Sequence, residues 1–184
     1  MAAGAAVAVL LLVERTTLIP AYREITGFTP FDLQAPLSHV MIGVELGAFE
    51  ERAARGAYSA FAAVDFALGV ATAAMFTFLW MWLFEKAPSR IFAFLKRGGT
   101  LMVPTYAVVL DMAAKLGFYR LLQGLSGEAL ADTIEFCATI HRLHIALADI
   151  RNILTAVFLA LATGVIVRRL RGRGPAATAG TSRL

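Results

Sequence analysis

Cysteine is nearly absent from this sequence. Its 184 residues include one, Cys137, so neither an intramolecular disulfide nor a CxxC redox pair can form. That excludes the small helical enzymes that exchange disulfides. Charge is scarce too: 16% of residues are Asp, Glu, Lys or Arg, against about 25% in an average soluble domain. Recognisable catalytic signatures are missing. Gly98-Gly99 is not followed by the GK[ST] of a phosphate loop, and neither GxSxG nor HExxH occurs. Asp65 and Asp111 lack the asparagine- and glycine-rich surroundings of the lipoprotein signal peptidase aspartates. No internal repeat is present.

What remains is apolar. Hydrophobic residues make up 59% of the chain, and mean hydropathy is +0.70. A single buried core in a chain this short cannot absorb that much apolar surface. Disorder, a fibre and an ordinary cytosolic enzyme are excluded, which leaves a small polytopic membrane protein. A crossing helix needs about 20 mainly apolar residues, and the sequence predicts spans at about 2–20, 58–84, 100–122 and 145–168. They form a single membrane domain over 1–172, followed by a flexible basic tail at 173–184. The first segment has no basic leader, which favours an uncleaved helix over a removed signal or an interfacial segment.

The basic residues sort by side. Lys86, Arg90, Lys96 and Arg97 lie between the second and third spans; Arg168, Arg169, Arg171, Arg173 and Arg183 follow the fourth. The other connections carry the acids, among them Glu24, Asp32, Glu45, Glu50, Glu128, Asp132 and Glu135. By the positive-inside rule both termini are expected on the cytoplasmic side. A bacterial inner membrane is the default, and an organelle's inner membrane fits equally. The net charge of +4 is therefore a topology signal, and no nucleic-acid partner is expected.

The two acidic connections also carry helical patterns. Leu37, Met41, Val44 and Phe49 recur near helical spacing. Ser126 is a suitable N-cap for SGEALADTIEF, a helix expected to run on towards the fourth span. The expected fold is all-α: a four-transmembrane-helix bundle with two short amphipathic helices on its outer face.

Ionisable residues inside a span are costly and mark function by default. At about 1.5 Å per residue, Asp65 lies roughly 10 Å from its end of the second span and Asp111 roughly 17 Å into the third. Lys115, one turn beyond Asp111, shares its helix face and the depth of Asp65. These three, with Asp149, Arg151, Asn152, Tyr58 and Tyr106, are the predicted intramembrane polar network, closed through Arg151. Such a network fixes helix register, or forms a proton or ion pathway or a headgroup pocket, or, least of all, an active site. No catalytic residue is assigned. His141 and His144, three apart, are candidate metal ligands with Glu135 or His39 to complete them. Arg142 between them opposes a cation, and interfacial histidines are the simpler reading. Haem would want histidines inside the spans, where none is expected, so no cofactor is assigned. Trp80, Trp82 and Phe84 read as an interfacial aromatic belt. Gly69 with Ala71, Ala73 and Ala74 gives a small-residue packing face.

With these residues in hand, the chain resembles a set of four-helix integral membrane proteins to which no activity is attached. The resemblance rests on Gly27-Phe28-Thr29 with Asp32, on Tyr58 and Asp65 seven apart, and on Pro104 with Asp111. It implies the four-helix fold and no chemistry. The expected function is non-catalytic: an accessory, assembly or scaffolding subunit of a larger membrane complex. The expected partners are the lipid bilayer and neighbouring membrane proteins, or further copies of the chain. The alternatives are a small oligomeric transporter or ion or proton pathway, and a membrane-embedded lipid-modifying enzyme.

Overall fold

In the computed structural model, residues 2–35, 37–48, 51–87 and 89–171 are described; the predicted tail at 173–184 lies outside them. Helix is the only regular structure among the described residues. Helix α1 (Ala2–Val13) continues through a π turn (Glu14–Leu18) into α2 (Ile19–Thr26). After a 3-10 turn (Phe31–Leu33) come α3 (His39–Leu46), α4 (Glu51–Lys86) and α5 (Arg90–Arg97). A 3-10 turn (Thr100–Met102) leads into α6 (Val103–Leu121), and α7 (Gly127–Arg171) ends the described chain.

Local chemistry explains the boundaries. Pro20 has no N–H for the carbonyl four residues back, and its ring crowds that carbonyl. The helix widens just before it, with the Ile19 N–H bonded to Glu14 O, five residues back. Gly27 ends α2 at φ 78°, a left-handed cap that suits glycine. Ser38 and Ser89 cap α3 and α5, each hydroxyl accepting a backbone N–H from three residues on. The second amphipathic helix expected from the sequence is continuous with the fourth span, as the first turns of α7. A short helix that the pattern did not announce, α5, follows α4 at the opposite end.

Four helical stretches are long and apolar enough to cross a membrane: Gly4–Thr26, Ala53–Lys86, Thr100–Leu121 and Gly127–Arg168. α6 packs against α4 and α7, and α4 packs against α1 and α2. Tyr22 meets Tyr58, Asp65 meets Lys115, and His144 meets Ala107, so successive spans run antiparallel. Two apolar clusters fill the bundle. One, at the end carrying the α2–α4 and α6–α7 connections, centres on Tyr22, Phe31, Tyr58, Phe61, Phe118 and Leu121. The other, next to α5, gathers Trp80, Leu83, Phe84, Phe92 and Phe158. Trp80 is wholly buried and donates its indole N–H to Thr155 Oγ1 at 2.8 Å, so it is a core residue and not part of an interfacial belt. Trp82 does face outward. Gly117 lets α6 and α7 touch, because a Cβ there would collide with Cys137 Sγ. Outside, Leu12, Phe78, Leu116 and Ile153 are exposed.

Candidate ion-pair site

The polar residues converge on Lys115, which is buried among apolar neighbours on α6. One turn earlier on the same helix, Asp111 holds its ammonium as an i,i+4 partner. Asp65 reaches it from α4 at 2.7 Å, Oδ2 to Nζ. The third carboxylate is Asp32, 3.6 Å away and delivered by the 3-10 turn between α2 and α3. Three elements thus place carboxylates around one cation. Gly69 on α4 faces Asp111 across the helix contact, where a Cβ would lie at ordinary contact distance, 3.6 Å from Asp111 Oδ2.

Asp32 was not assigned to the network from sequence, and apolar packing brings it there. Its neighbour Phe31 is fully buried, stacked on Phe118 at 5.1 Å between ring centres. That anchor pins the connection against the bundle and turns Asp32 inward. The Tyr58 hydroxyl donates to Asp32 Oδ1 at 2.8 Å. Burial pushes the Asp32 carboxyl up to about 7, outweighing the pull of the Lys115 charge. The readable signal was the GFTPFD segment itself: an acid flanked by Pro30, Phe31 and Leu33 in a connection has an apolar anchor on either side.

Two further groups belong to the site. His144 donates its Nδ1 hydrogen to the Ala107 carbonyl at 3.0 Å, which turns Nε2 towards Asp111 Oδ1 at 3.9 Å. Glu14, at the first position of the π turn, is almost wholly buried, and its Oε2 has no hydrogen-bond partner among the described residues. Its electrostatic neighbours are Asp65, Arg15, Lys115 and Asp111. A mostly apolar cavity of about 280 Å3 between α4 and α6, lined by Ala62, Phe66, Met112 and Tyr119, reaches Lys115 from the side.

The rest of the predicted network lies elsewhere. Asp149 and Asn152 are exposed on α7. Arg151 donates to Asn152 Oδ1 and covers the Phe76 ring at 4.5 Å, so the network does not close through it. Tyr106 faces outward. The physical reason is rotation: the α7 turn carrying Asp149 and Asn152 points its other face, with Thr155, at the bundle.

The histidines also differ from expectation. His141 is buried, not interfacial, and donates from Nε2 to the Gln34 carbonyl at 2.9 Å. His144 is half-buried within the same span. The two rings lie 6.5 Å apart between centres, each tied to its own backbone carbonyl. Glu135 and His39 are exposed. Among the described residues no group of three or more His, Cys, Asp or Glu side chains is arranged to hold a metal ion.

Chemically, the arrangement can hold protons. The ammonium, three carboxylates, an imidazole and a phenol are linked by contacts of 3.9 Å or less. No protein-family model matches this chain, and no curated protein or solved structure does either.

Proposed function

We propose that the chain is an integral membrane protein that binds and releases protons at the carboxylates around Lys115, working as a small oligomeric transporter or ion pathway. One observation carries this: a single buried ammonium stands against three carboxylates. With all of them ionised, three negative charges less one positive leave two uncompensated. Uncompensated buried charge is prohibitive in a low-dielectric interior, and such groups neutralise instead. Protons are the simplest neutralising ions, and Asp32 sits where its proton exchanges near neutral pH. His144 offers a relay beside Asp111, and the lateral cavity offers access from the bilayer plane. The aromatic cluster around Trp80 and Phe158 closes the opposite half, so passage requires the bundle to change shape between two accesses. The basic residues of α5 and of the α7 end support cytoplasmic termini; a cysteine introduced near Arg173 that labels from outside would reverse that orientation.

The test is proton flux into liposomes carrying purified protein and an enclosed pH dye. Wild type is expected to dissipate an imposed pH gradient faster than empty vesicles. Asp65→Asn, checked for a normal melting profile, is expected to abolish the excess. Wild-type flux equal to that of empty vesicles would sink the proposal.

A second reading, an accessory subunit, draws on one feature of α7. Asp149 and Asn152 are exposed on a helix that also exposes Ala156, Ala160 and Gly164. A carboxylate facing lipid costs roughly 2.5–3.5 kcal/mol at mid-membrane, and small residues four apart allow close helix approach. A covering partner removes that cost. Mild solubilisation with native gels and mass spectrometry tests it: stoichiometric co-migration with a large assembly supports the subunit, and migration alone rejects it.

A further inference from the structure

A polar concavity is lined in part by Thr29, Leu33 and Gln34 of the connection that carries Asp32. It encloses about 650 Å3 and is lined by Arg15, Arg23, Thr29, Gln34, Met41 and Glu45, among others. The geometry points to a binding site for the phosphodiester head of a phospholipid. This inference rests on the membrane reading of the chain but not on proton movement around Lys115.

The arginines carry the argument. Arg23 uses its Nε and Nη2 on Thr29 Oγ1, at 3.1 and 2.7 Å. That bond fixes the guanidinium at the cavity wall and leaves three of its five N–H donors unused. Arg15 makes no hydrogen bond or ion pair among the described residues. Arg15 lies within the π turn and Arg23 eight positions further on, and both line the cavity. Two guanidiniums with unused planar donors suit a phosphate, which they bind in forked pairs. Glu45, buried and held by Gln34 Nε2 at 3.0 Å, supplies one acid for a headgroup amine or hydroxyl.

Position selects a lipid as the source. The cavity wall runs from Arg15, midway along the stretch Gly4–Thr26, past the end of that stretch to Thr29 and Gln34. Met41 lines it, and on the same helix Val40 and Val44 are 60% and 65% exposed. An apolar helix face beside paired arginines matches an amphiphile with acyl chains below its phosphate. Leu33 and Gln34, which follow Asp32 directly, line the cavity, so a seated head would brace the turn that supplies the third carboxylate to Lys115.

The test uses protein purified in detergent and stripped of lipid, titrated calorimetrically with a short-chain phosphatidylethanolamine and, separately, with inorganic phosphate. Saturable lipid binding is expected, weakened about tenfold or more by Arg15→Gln and by Arg23→Gln, one lost charged hydrogen bond each. Arg15→Lys keeps the charge beside Glu14 and loses the planar fork, so its melting midpoint should not move while lipid binding weakens, which separates binding from folding. Binding of phosphate alone with the same arginine dependence would uphold the anion site and assign it to free phosphate. Lipid binding that neither glutamine variant weakens, or no saturable binding of either probe, would overturn the site. Flux is a separate readout: a variant without proton flux that still binds lipid rejects the transport reading and leaves this one standing.

Discussion

The Tyr58 hydroxyl donates to Asp32 Oδ1 across 2.8 Å, joining the first turns of α4 to the connection between α2 and α3. Both groups are buried, Tyr58 completely. This bond and the Phe31 anchor hold Asp32 at the ion-pair site. Tyr58→Phe keeps the ring packing against Phe61 and Phe118 and deletes the donor. It should destabilise the fold by about 1–3 kcal/mol, the penalty for a buried acceptor left without its partner. Thermal unfolding in detergent measures it, and an unchanged midpoint would mean that the bond contributes nothing.

Asp32 also sets a pH dependence. Its folded carboxyl titrates near 7, raised by burial from the usual 3.8. A folded pKa above the unfolded one means that the folded state binds more protons between the two values. The contribution is fully present below the unfolded value and is lost as pH rises towards 7. Stability should therefore fall between about pH 4 and pH 7 from this group, and Asp32→Asn should flatten that part of the profile. An infrared band of a protonated carboxyl at pH 6 that disappears in Asp32→Asn would be direct support. Identical stability profiles for the two proteins would count against the assignment.

Lys115 is the common partner of three acids, so its removal should be severe. Lys115→Met leaves the carboxylates uncompensated and should cost roughly 3–5 kcal/mol, as breaking one side of a buried pair does. Adding Asp65→Asn to Lys115→Met should return part of that loss. The pair would then show a coupling above the additivity expected of independent sites. Strict additivity of the two melting shifts would mean that the 2.7 Å contact is energetically silent.

The α6–α7 contact makes a purely steric prediction. A methyl at position 117 meets Cys137 Sγ, and Phe136 lies 3.4 Å from the same point. Gly117→Ala should destabilise by about 1–3 kcal/mol through overpacking. Cys137→Ala removes the colliding sulfur and should relieve much of the penalty in the double variant. If Gly117→Ala melts like wild type, the helices are farther apart than the structure has them.

The sequence by itself determined the helices. Runs such as Ala60 to Phe84 leave no other regular structure for so apolar a chain, and Gly27, Ser38 and Ser89 mark ends through local backbone chemistry. It also determined the Asp65, Asp111 and Lys115 grouping, since helical rise and the i,i+4 spacing fix depth and face within a span. Rotation of each helix was not legible. Asp149, Arg151 and Asn152 sit at a suitable height along α7, yet the helix turns Phe158 and Thr155 inward because aromatic packing with Trp80 and Phe92 decides its orientation. Nor could spacing find Asp32 or the burial of His141. Each depends on a contact between residues far apart in the chain, Phe31 with Phe118 and His141 with Gln34. Local propensity and hydropathy act over a few residues and fix segments and depth; long-range packing alone decided which polar groups face the cation.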